Sequence, residues 1–461
     1  MDIRTILKNI AACAHELDMP VYAVGGYVRD QILGLSSDEI DFVVVGNAML
    51  FADHLKKCLG LKKITRYARF GTFMARYGGY NLEFVNARRE SYDTNSRNPV
   101  TEIATLEEDI RRRDFTINTL AMDISGSNFG EIIDTFNGQD DIKNGIIRTP
   151  LEPDKTFYDD PLRMMRAIRF AARLDFAIDP YTFEGIQKNA HRLKIISPER
   201  IRDEFTKTIC VAKPSIGMDL FDRSGLLSVF LPEAELMKGV EQKKEYHHKD
   251  VFYHTLEVMD NVALRTDKAD LRLAGLFHDI GKPRTKRFVE GSGWTFHGHE
   301  VVGERMTQSI MKRLKYSNES IRLVGKLVRQ HLRPMTLVGN EVTDSAIRRL
   351  LFLSGAEFDD LILLCRADIT SKKPRREKKY LSNYDHLLEK IAVVEERDRI
   401  RNFQPPVDGR EIMALFNCGP GRLIGRVKKF LEEAILDGRV ENDHDACLAL
   451  IQKHMDEFNN E

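Results

Sequence analysis

Nowhere does the sequence approach 18 consecutive apolar residues, so no membrane-crossing helix is expected. The first twenty residues, MDIRTILKNIAACAHELDMP, lack the uninterrupted apolar core of a secretory leader. Net charge is also absent. Lys+Arg and Asp+Glu both number 70, which excludes a global positive field and leaves any nucleic-acid binding to local basic patches. The six cysteines (Cys13, Cys58, Cys210, Cys365, Cys418, Cys447) include no CxxC pair, which excludes a zinc knuckle and suits a reducing compartment, so a cytoplasmic protein is expected. There is no internal repeat, and no low-complexity segment beyond SKKPRREKK at Ser371–Lys379. What is present is the balance of a folded chain: 42% hydrophobic and 30% charged residues over 461 positions, enough for about three domains.

The first 150 residues or so mix strand and helix signals. Pro20–Val24 reads as a strand turned by Gly25-Gly26 into a helix over Tyr27–Leu33. Phe42–Val45 and Asn81–Val85 read as further strands. From about residue 155 strand signals nearly vanish. Apolar residues at three-and-four spacing predict helices over Pro161–Arg173, Pro198–Val211, Asp270–His278, Ser320–His331 and Phe358–Ala367. Candidate joints are Arg148–Pro150, Leu231-Pro232 and the basic tract Ser371–Lys379.

A strand running through Gly25-Gly26 into a helix presents free backbone N–H groups at a positively polarised helix end, a geometry suited to a triphosphate. Arg29 lies one turn into that helix. Glu39-Ile40-Asp41 follows, and on a strand residues i and i+2 share a face, so Glu39 and Asp41 converge. Two such carboxylates repel unless a cation sits between them, and hard oxygen donors with nucleotide phosphates favour Mg²⁺. Glu83 on the third strand adds a further carboxylate for metal binding or proton abstraction. A Gly-Gly turn alone, or an acid-x-acid pair alone, is usually structural; the ordered combination is what points to a site.

The run VGGYVRDQILG…EIDFVVVG resembles the signature of class II tRNA nucleotidyltransferases, the CCA-adding enzymes and bacterial poly(A) polymerases. The resemblance continues through EEDIRRRDFTINTLA (Glu107–Ala121), Ile133-Asp134, Gly138–Arg148, DDPLRMMRAIRFAARL (Asp159–Leu174) and ISPERIRDEF (Ile196–Phe205). It implies a nucleotide pocket holding Gly25, Gly26, Arg29, Asp30, Arg113 and Asn118, with Glu39, Asp41 and Glu83 as the catalytic carboxylates. Two positions depart from the family pattern. Glu39 stands where the metal pair is usually Asp-x-Asp, moving the ion by a fraction of an ångström to an ångström, and Thr119 stands where Ala is commoner.

In Asp159-Asp160-Pro161-Leu162-Arg163 a helical i, i+3 spacing would set the Asp160 carboxylate beside the Arg163 guanidinium. Such a pair imitates a base edge: the carboxylate accepts from N4 of cytosine or N6 of adenine, and the guanidinium donates to ring acceptors. A wrong base leaves buried polar groups unpaired, which discriminates strongly. The family's matching Asp and Arg choose CTP and ATP by this logic, which the resemblance carries to Asp160 and Arg163. Arg166 and Arg169 continue the face, for phosphate or ribose. The competing reading is an ordinary helical salt bridge.

In the helical middle, Leu276–Lys282 embeds His278-Asp279 in an apolar run, where two unpartnered polar side chains are costly. With His254 upstream, His297, His299 and His331 downstream, and Asp368 further on, the order resembles the HD superfamily of metal-dependent phosphohydrolases. His254, His278, Asp279, His299 and Asp368 are the expected ligands. Imidazole with carboxylate suits a transition-metal ion, without choosing which. Gly419-Pro420-Gly421-Arg422 and the basic tract resemble, weakly, a tRNA-holding body and tail.

The expected fold is therefore α+β: a polymerase-β-like nucleotidyltransferase head with a mixed sheet (1–150), an all-α neck (151–235), an HD-type helical domain (236–375) and a helical tail (376–461). The expected activity is addition of CCA to the tRNA 3′ end from CTP and ATP with Mg²⁺. The expected partners are tRNA, ATP and CTP, with no membrane; oligomeric state is not legible. Alternatives are a poly(A) polymerase or A-adding enzyme, an HD phosphohydrolase with an inactive RNA-binding head, and a non-catalytic RNA-binding protein.

Overall fold

The computed structural model describes residues 1–91, 100–125, 128–240, 250–291, 293–338, 342–370, 374–398 and 403–459. The chain forms two compact units, Met1–Pro232 and Glu233–Glu461. No described helix is long and apolar enough to cross a membrane.

The first unit is built on β1 (Val21–Val24), β2 (Glu39–Val44), β3 (Ile64–Tyr67), β4 (Thr72–Tyr77), β5 (Tyr80–Asn86), β6 (Arg88–Ser91), β7 (Val100–Ile103), β8 (Ala121–Asp123) and β9 (Ile132–Ile133). Seven of these make one sheet in the order β3-β4-β5-β2-β1-β8-β9, while β6 and β7 pair separately. The sheet is mixed, as expected: β2 runs parallel to β5 and antiparallel to β1. Alternation along β2 buries Ile40 and Phe42 and leaves Glu39 and Asp41 on the open face. Beneath that face Phe42, Phe84 and Phe73 face one another across three strands. Both ring pairs stack at 4.6 Å, and Phe51 meets Phe84 edge-on. All four rings are fully buried. This stack pins the register, because a one-residue slip would turn the carboxylates into the core.

The helix Ile3–His15 starts on Asp2, whose carboxylate accepts from the Thr5 N–H at 2.9 Å, and buries Ile6, Leu7, Ile10, Cys13 and Ala14. A disulfide ties Cys13 to Cys58 at the end of the helix Ala48–Cys58. Cysteine spacing gave no sign of this pairing, which the fold creates by laying the two helices side by side.

Helices then take over at Pro153–Asp159, Leu162–Leu174, Pro180–Asn189, Pro198–Ile209, Pro214–Arg223 and Leu226–Phe230. Four of the six open with proline, whose fixed φ suits a first turn. In Leu162–Leu174 the residues Met164, Met165, Ala167, Ile168 and Ala171 are buried, the stripe that a 3.6-residue period predicts. One expectation fails at its start. Asp160 is not helical: the proline after it disfavours the helical region, and it sits extended at φ −140°, ψ 98° between two helices. A short strand also occurs beyond residue 155, where strand signals nearly vanish: Ala177-Ile178 pairs in parallel with Ile146-Ile147.

The second unit is helical, with principal helices Val251–Ala263, Ala269–Phe277, His299–Arg313, Asn318–Gln330, Asp344–Ser354, Phe358–Asp368, Pro374–Asp398, Gly409–Leu415, Arg422–Leu436 and His444–Lys453. It also holds an unexpected two-stranded ribbon, Arg287–Val289 with Gly293–Thr295. Of the basic tract, Ser371–Lys373 lie outside the described residues. The remainder opens the helix Pro374–Asp398. Gly419–Gly421 do separate two helices.

Candidate active site and metal centre

β1 ends at Gly25, which takes φ +66°, ψ −125° and hands the chain to the helix Gly26–Ile32. The turn's positive φ favours glycine, and a Cβ on Gly25 would lie 2.9 Å from Arg113 Nη1, so the guanidinium would have to shift. Beside it, β2 presents Glu39 and Asp41. Register pairs Asp41 with Glu83 on β5. Asp41 is pushed above the ordinary carboxylate range by burial among surrounding atoms, with Arg113 opposing and Glu39 adding to it. Glu83 is raised too, by burial and then by Asp41 and Glu39. Glu39 and Asp41, with Glu83 on the neighbouring strand, are hard-oxygen donors of the kind that a divalent cation takes.

A cleft of about 530 Å³ brings together Gly25, Gly26, Arg29, Glu39, Asp41, Arg113, Asn118, Asp160, Arg163, Arg166 and Arg169. Asp30 and Glu83 do not line it. Several expected ligand-holders are already engaged by protein. Arg29, 2% exposed, is bonded to Asp30, and its Nη1 donates to Asn118 Oδ1 at 2.6 Å. Asn118 in turn donates to Asp114 Oδ1 at 3.0 Å. Burial alone would raise the Asp114 pKa, but Arg166, the Asn118 amide and Arg163 outweigh it and hold the group at about 2. Arg113 pairs with fully buried Asp109 at 3.0 Å. Arg169 pairs with Glu204 at 2.7 Å. Arg29, Arg166 and Arg169 also lean on one ring, Phe170, at 5.1, 5.4 and 4.2 Å from its centroid.

Asp160 and Arg163 share the cleft without bonding side chain to side chain. Asp160 Oδ1 accepts from the Leu162 N–H at 3.1 Å and Oδ2 from Arg200 at 3.1 Å, whereas Arg163 donates to the Arg112 carbonyl at 2.8 Å. The expected i, i+3 contact is corrected by Pro161, which takes Asp160 out of the helix. Sequence reasoning missed Arg200, Asp109 and Glu204 as supports. Arg200 and Glu204 lie within ISPERIRDEF, where their four-residue spacing on one helix was the available signal.

In the second unit, His254 comes from Val251–Ala263, and His278-Asp279 follow Ala269–Phe277. His299 opens His299–Arg313, His331 ends Asn318–Gln330 and Asp368 ends Phe358–Asp368. Gly281 permits the crossing: a Cβ there would strike the His299 carbonyl at 2.2 Å. All five expected ligands meet. His254 Nε2 lies 2.9 Å and His278 Nε2 3.4 Å from Asp368 Oδ1. Asp279 Oδ2 is 3.2 Å from His278 Nε2, and Oδ1 is 3.4 Å from His299 Nε2. His278 Nε2 is buried and faces carboxylate oxygens of both Asp279 and Asp368, a donor set that suits a metal ion. His331 joins the cluster, while His297 lines an adjoining cleft.

Comparison with known proteins places the chain in a family. Family models match residues 21–148 (Poly A polymerase head domain), 175–237 (Probable RNA and SrmB- binding site of polymerase A) and 251–370 (HD domain). An A-adding tRNA nucleotidyltransferase of Deinococcus radiodurans is 30% identical over 444 residues, spanning 94% of this chain and 95% of the relative. The chain belongs to the tRNA nucleotidyltransferase family. Other tRNA nucleotidyltransferases bracket it. A CC-adding enzyme of Thermus thermophilus is 29% identical over 94% of this chain and 95% of its own length, and a multifunctional CCA protein of Cupriavidus metallidurans 32% identical over 78% and 87%. The Bacillus stearothermophilus CCA-adding enzyme in complex with CTP has the same fold, with TM-score 0.68 and 23% identity over the whole of both chains.

Proposed function

We propose that this nucleotidyltransferase adds CMP, CMP and AMP to the 3′ end of tRNA from CTP and ATP, without a nucleic-acid template. The observation that carries the reading is the single cleft in which the Gly25-Gly26 turn, the Glu39/Asp41 strand face and the Asp160/Arg163 pair converge. The turn and its arginines receive the triphosphate. Glu39 and Asp41 hold divalent cations, with Glu83 beside them. When bound, Mg²⁺ acidifies the RNA 3′-hydroxyl and neutralises the departing pyrophosphate in an in-line displacement. Asp160, held by Arg200 and the Leu162 N–H, accepts from the exocyclic amino group shared by cytosine and adenine. Arg163 donates to the ring acceptors, so guanine and uracil would set a carbonyl against a carboxylate. Residues 1–150 are assigned to catalysis, 151–235 to base choice and RNA contact, 236–375 to the HD metal centre and 376–461 to tRNA. The working place proposed is the cytoplasm, where exposed Cys58 leaves its disulfide open to reduction.

A second reading has specific support: two relatives matched along 94% of this chain are an A-adding and a CC-adding tRNA nucleotidyltransferase. Purified protein incubated with tRNAs ending before CCA, after one C and after CC, with both nucleotides, decides between them. Sequenced products carrying a full CCA from the first substrate support the proposal. Extension of only the CC-ended tRNA rejects it for an A-adding enzyme, and arrest at CC rejects it for a CC-adding one.

A further inference from the structure

Two helices of the head face each other, each carrying a pair of metal-ligating side chains. On Ile3–His15, Cys13 is followed three residues later by Glu16, which keeps helical angles as the cap (φ −61°, ψ −23°). On Ala48–Cys58, His54 and Cys58 lie four residues apart. Spacings of three and four put both members of a pair on one helix face. These faces meet. Glu16, His54 and Cys58 each bring a ligand atom within 4.8 Å of the others, and the Cys13 sulfur is bonded to that of Cys58. His54 Nε2 lies 2.9 Å from Glu16 Oε2 and is itself shielded from water. None of the four residues lines the nucleotide cleft, so the proposed reaction leaves the cluster without a role.

The covalent bond is one of two states open to this cluster. Cys58 is exposed, so a thiol reductant of the kind that keeps a cytoplasm reducing can attack it, whereas Cys13 is fully buried. Two electrons and two protons convert the disulfide to two thiols, and two thiols of the reductant become its disulfide. With Cα atoms 6.1 Å apart, the freed sulfurs part by side-chain rotation and stay on the same side of the helix pair. The cluster then offers two sulfurs, an imidazole and a carboxylate. A thiolate as deep as Cys13 needs a positive charge beside it, and a donor set with two sulfurs and a nitrogen selects Zn²⁺ over the hard Mg²⁺.

We propose that, once Cys13 and Cys58 are reduced, Cys13, Glu16, His54 and Cys58 bind one Zn²⁺ ion, which takes over from the disulfide. Binding releases the two thiol protons to solvent and forms two Zn–S bonds, with neutral His54 and the Glu16 carboxylate completing a four-coordinate shell. In either state the helix Ile3–His15 stays fastened to Ala48–Cys58, whose Phe51 packs edge-on against Phe84 beneath the Glu39/Asp41 face. The site lies in the head and shares no residue with the His/Asp cluster of the second unit.

Cobalt distinguishes this site in the full-length chain. Co²⁺ on a thiolate gives a sulfur-to-metal charge-transfer absorption, which Co²⁺ on the imidazoles and carboxylates of the second unit does not. The chain reduced with a phosphine and titrated with CoCl₂ should develop that absorption and lose it when ZnCl₂ is added. The oxidised chain should lack it. Cys58→Ser should abolish it, and His54→Ala should abolish it or move the titration to higher Co²⁺. Because His54→Ala keeps both cysteines, its disulfide re-forms on oxidation and certifies that the two helices still meet. Absence of the absorption in the reduced parent, or an unchanged titration in Cys58→Ser or His54→Ala, overturns the assignment. Nucleotidyl transfer is not the readout, so a negative result here leaves the proposed reaction untouched.

Discussion

Replacing Gly25 and Gly26 separately by alanine should give opposite results, although the residues are neighbours in one turn. At Gly25 the backbone angles of φ +66°, ψ −125° lie outside every region comfortable for an L-residue, which costs about 2–3 kcal/mol. The added methyl would also meet Arg113 Nη1 at 2.9 Å and the Asn118 carbonyl at 3.7 Å. Gly26 is the first helical residue, and its Cβ would find only Arg29 Nη2 at an ordinary 3.6 Å. There alanine should be neutral or stabilising by up to about 1 kcal/mol, since it restricts the unfolded chain. Hydrogen exchange read by mass spectrometry separates the two units. Peptides covering β1 and β2 in Gly25→Ala should exchange roughly 30- to 150-fold faster, which is 2–3 kcal/mol at 1.36 per tenfold. The same peptides in Gly26→Ala should be unchanged or slower, and peptides from Glu233–Glu461 should not move in either. Equal acceleration in both variants, or none in Gly25→Ala, would refute the account of the turn. Nucleotide binding gives the complementary result: Gly26→Ala should weaken CTP affinity despite its stability, because its methyl enters the phosphate side of the cleft.

Asp41→Asn should lower nucleotidyl transfer by roughly 10³-fold or more, with tRNA binding retained in a gel-shift assay; near-normal transfer would remove Asp41 from the cation site. Arg163→Ala and Arg200→Ala should both raise misincorporation of UMP and GMP in sequenced products, the first by removing a donor and the second by releasing Asp160; parental fidelity in both would reject base choice by this pair. Asp114, held at about 2, adds stability that is fully present above its unfolded value of 3.8 and is lost as pH falls toward 2. Asp114→Asn should therefore cost about 2 kcal/mol in urea unfolding at pH 6, with the difference from the parent shrinking below pH 4; a pH-independent difference would contradict the ion pairing. Phe84→Ala should cost about 3–5 kcal/mol by emptying the centre of the three-ring stack, and a smaller loss in β5 hydrogen-exchange protection would mean the register is held elsewhere.

Alternation and β-branched runs made β1, β2 and β5 legible, and the Gly-Gly turn and the acid-x-acid strand named the cleft before any coordinates. What escaped was set by contacts distant in sequence. Asp160 is bonded across forty residues to Arg200, and no local period encodes that. Pro161 is visible in the sequence, but the helical i, i+3 spacing of Asp160 and Arg163 takes no account of the extended backbone that a proline imposes on the residue before it. His331 ends an amphipathic helix like many surface histidines, and only the packing of Asn318–Gln330 against its neighbours turns it inward, leaving it 3% exposed. Cys13 and Cys58, forty-five residues apart, meet because two helices do. The ribbon near Trp294 is too short for a period-two pattern to register.

The Phe170 ring gives three arginines a common backrest. One belongs to the helix that follows the glycine turn and two to the helix carrying Arg163. On the proposed reading of the cleft, phosphate grip and base choice are thereby yoked, because the arginines of both walls rest on one aromatic face. Natural or laboratory retuning of nucleotide preference in this chain would meet that mechanical linkage first, and a smaller residue at 170 is where the two properties would become free to vary apart.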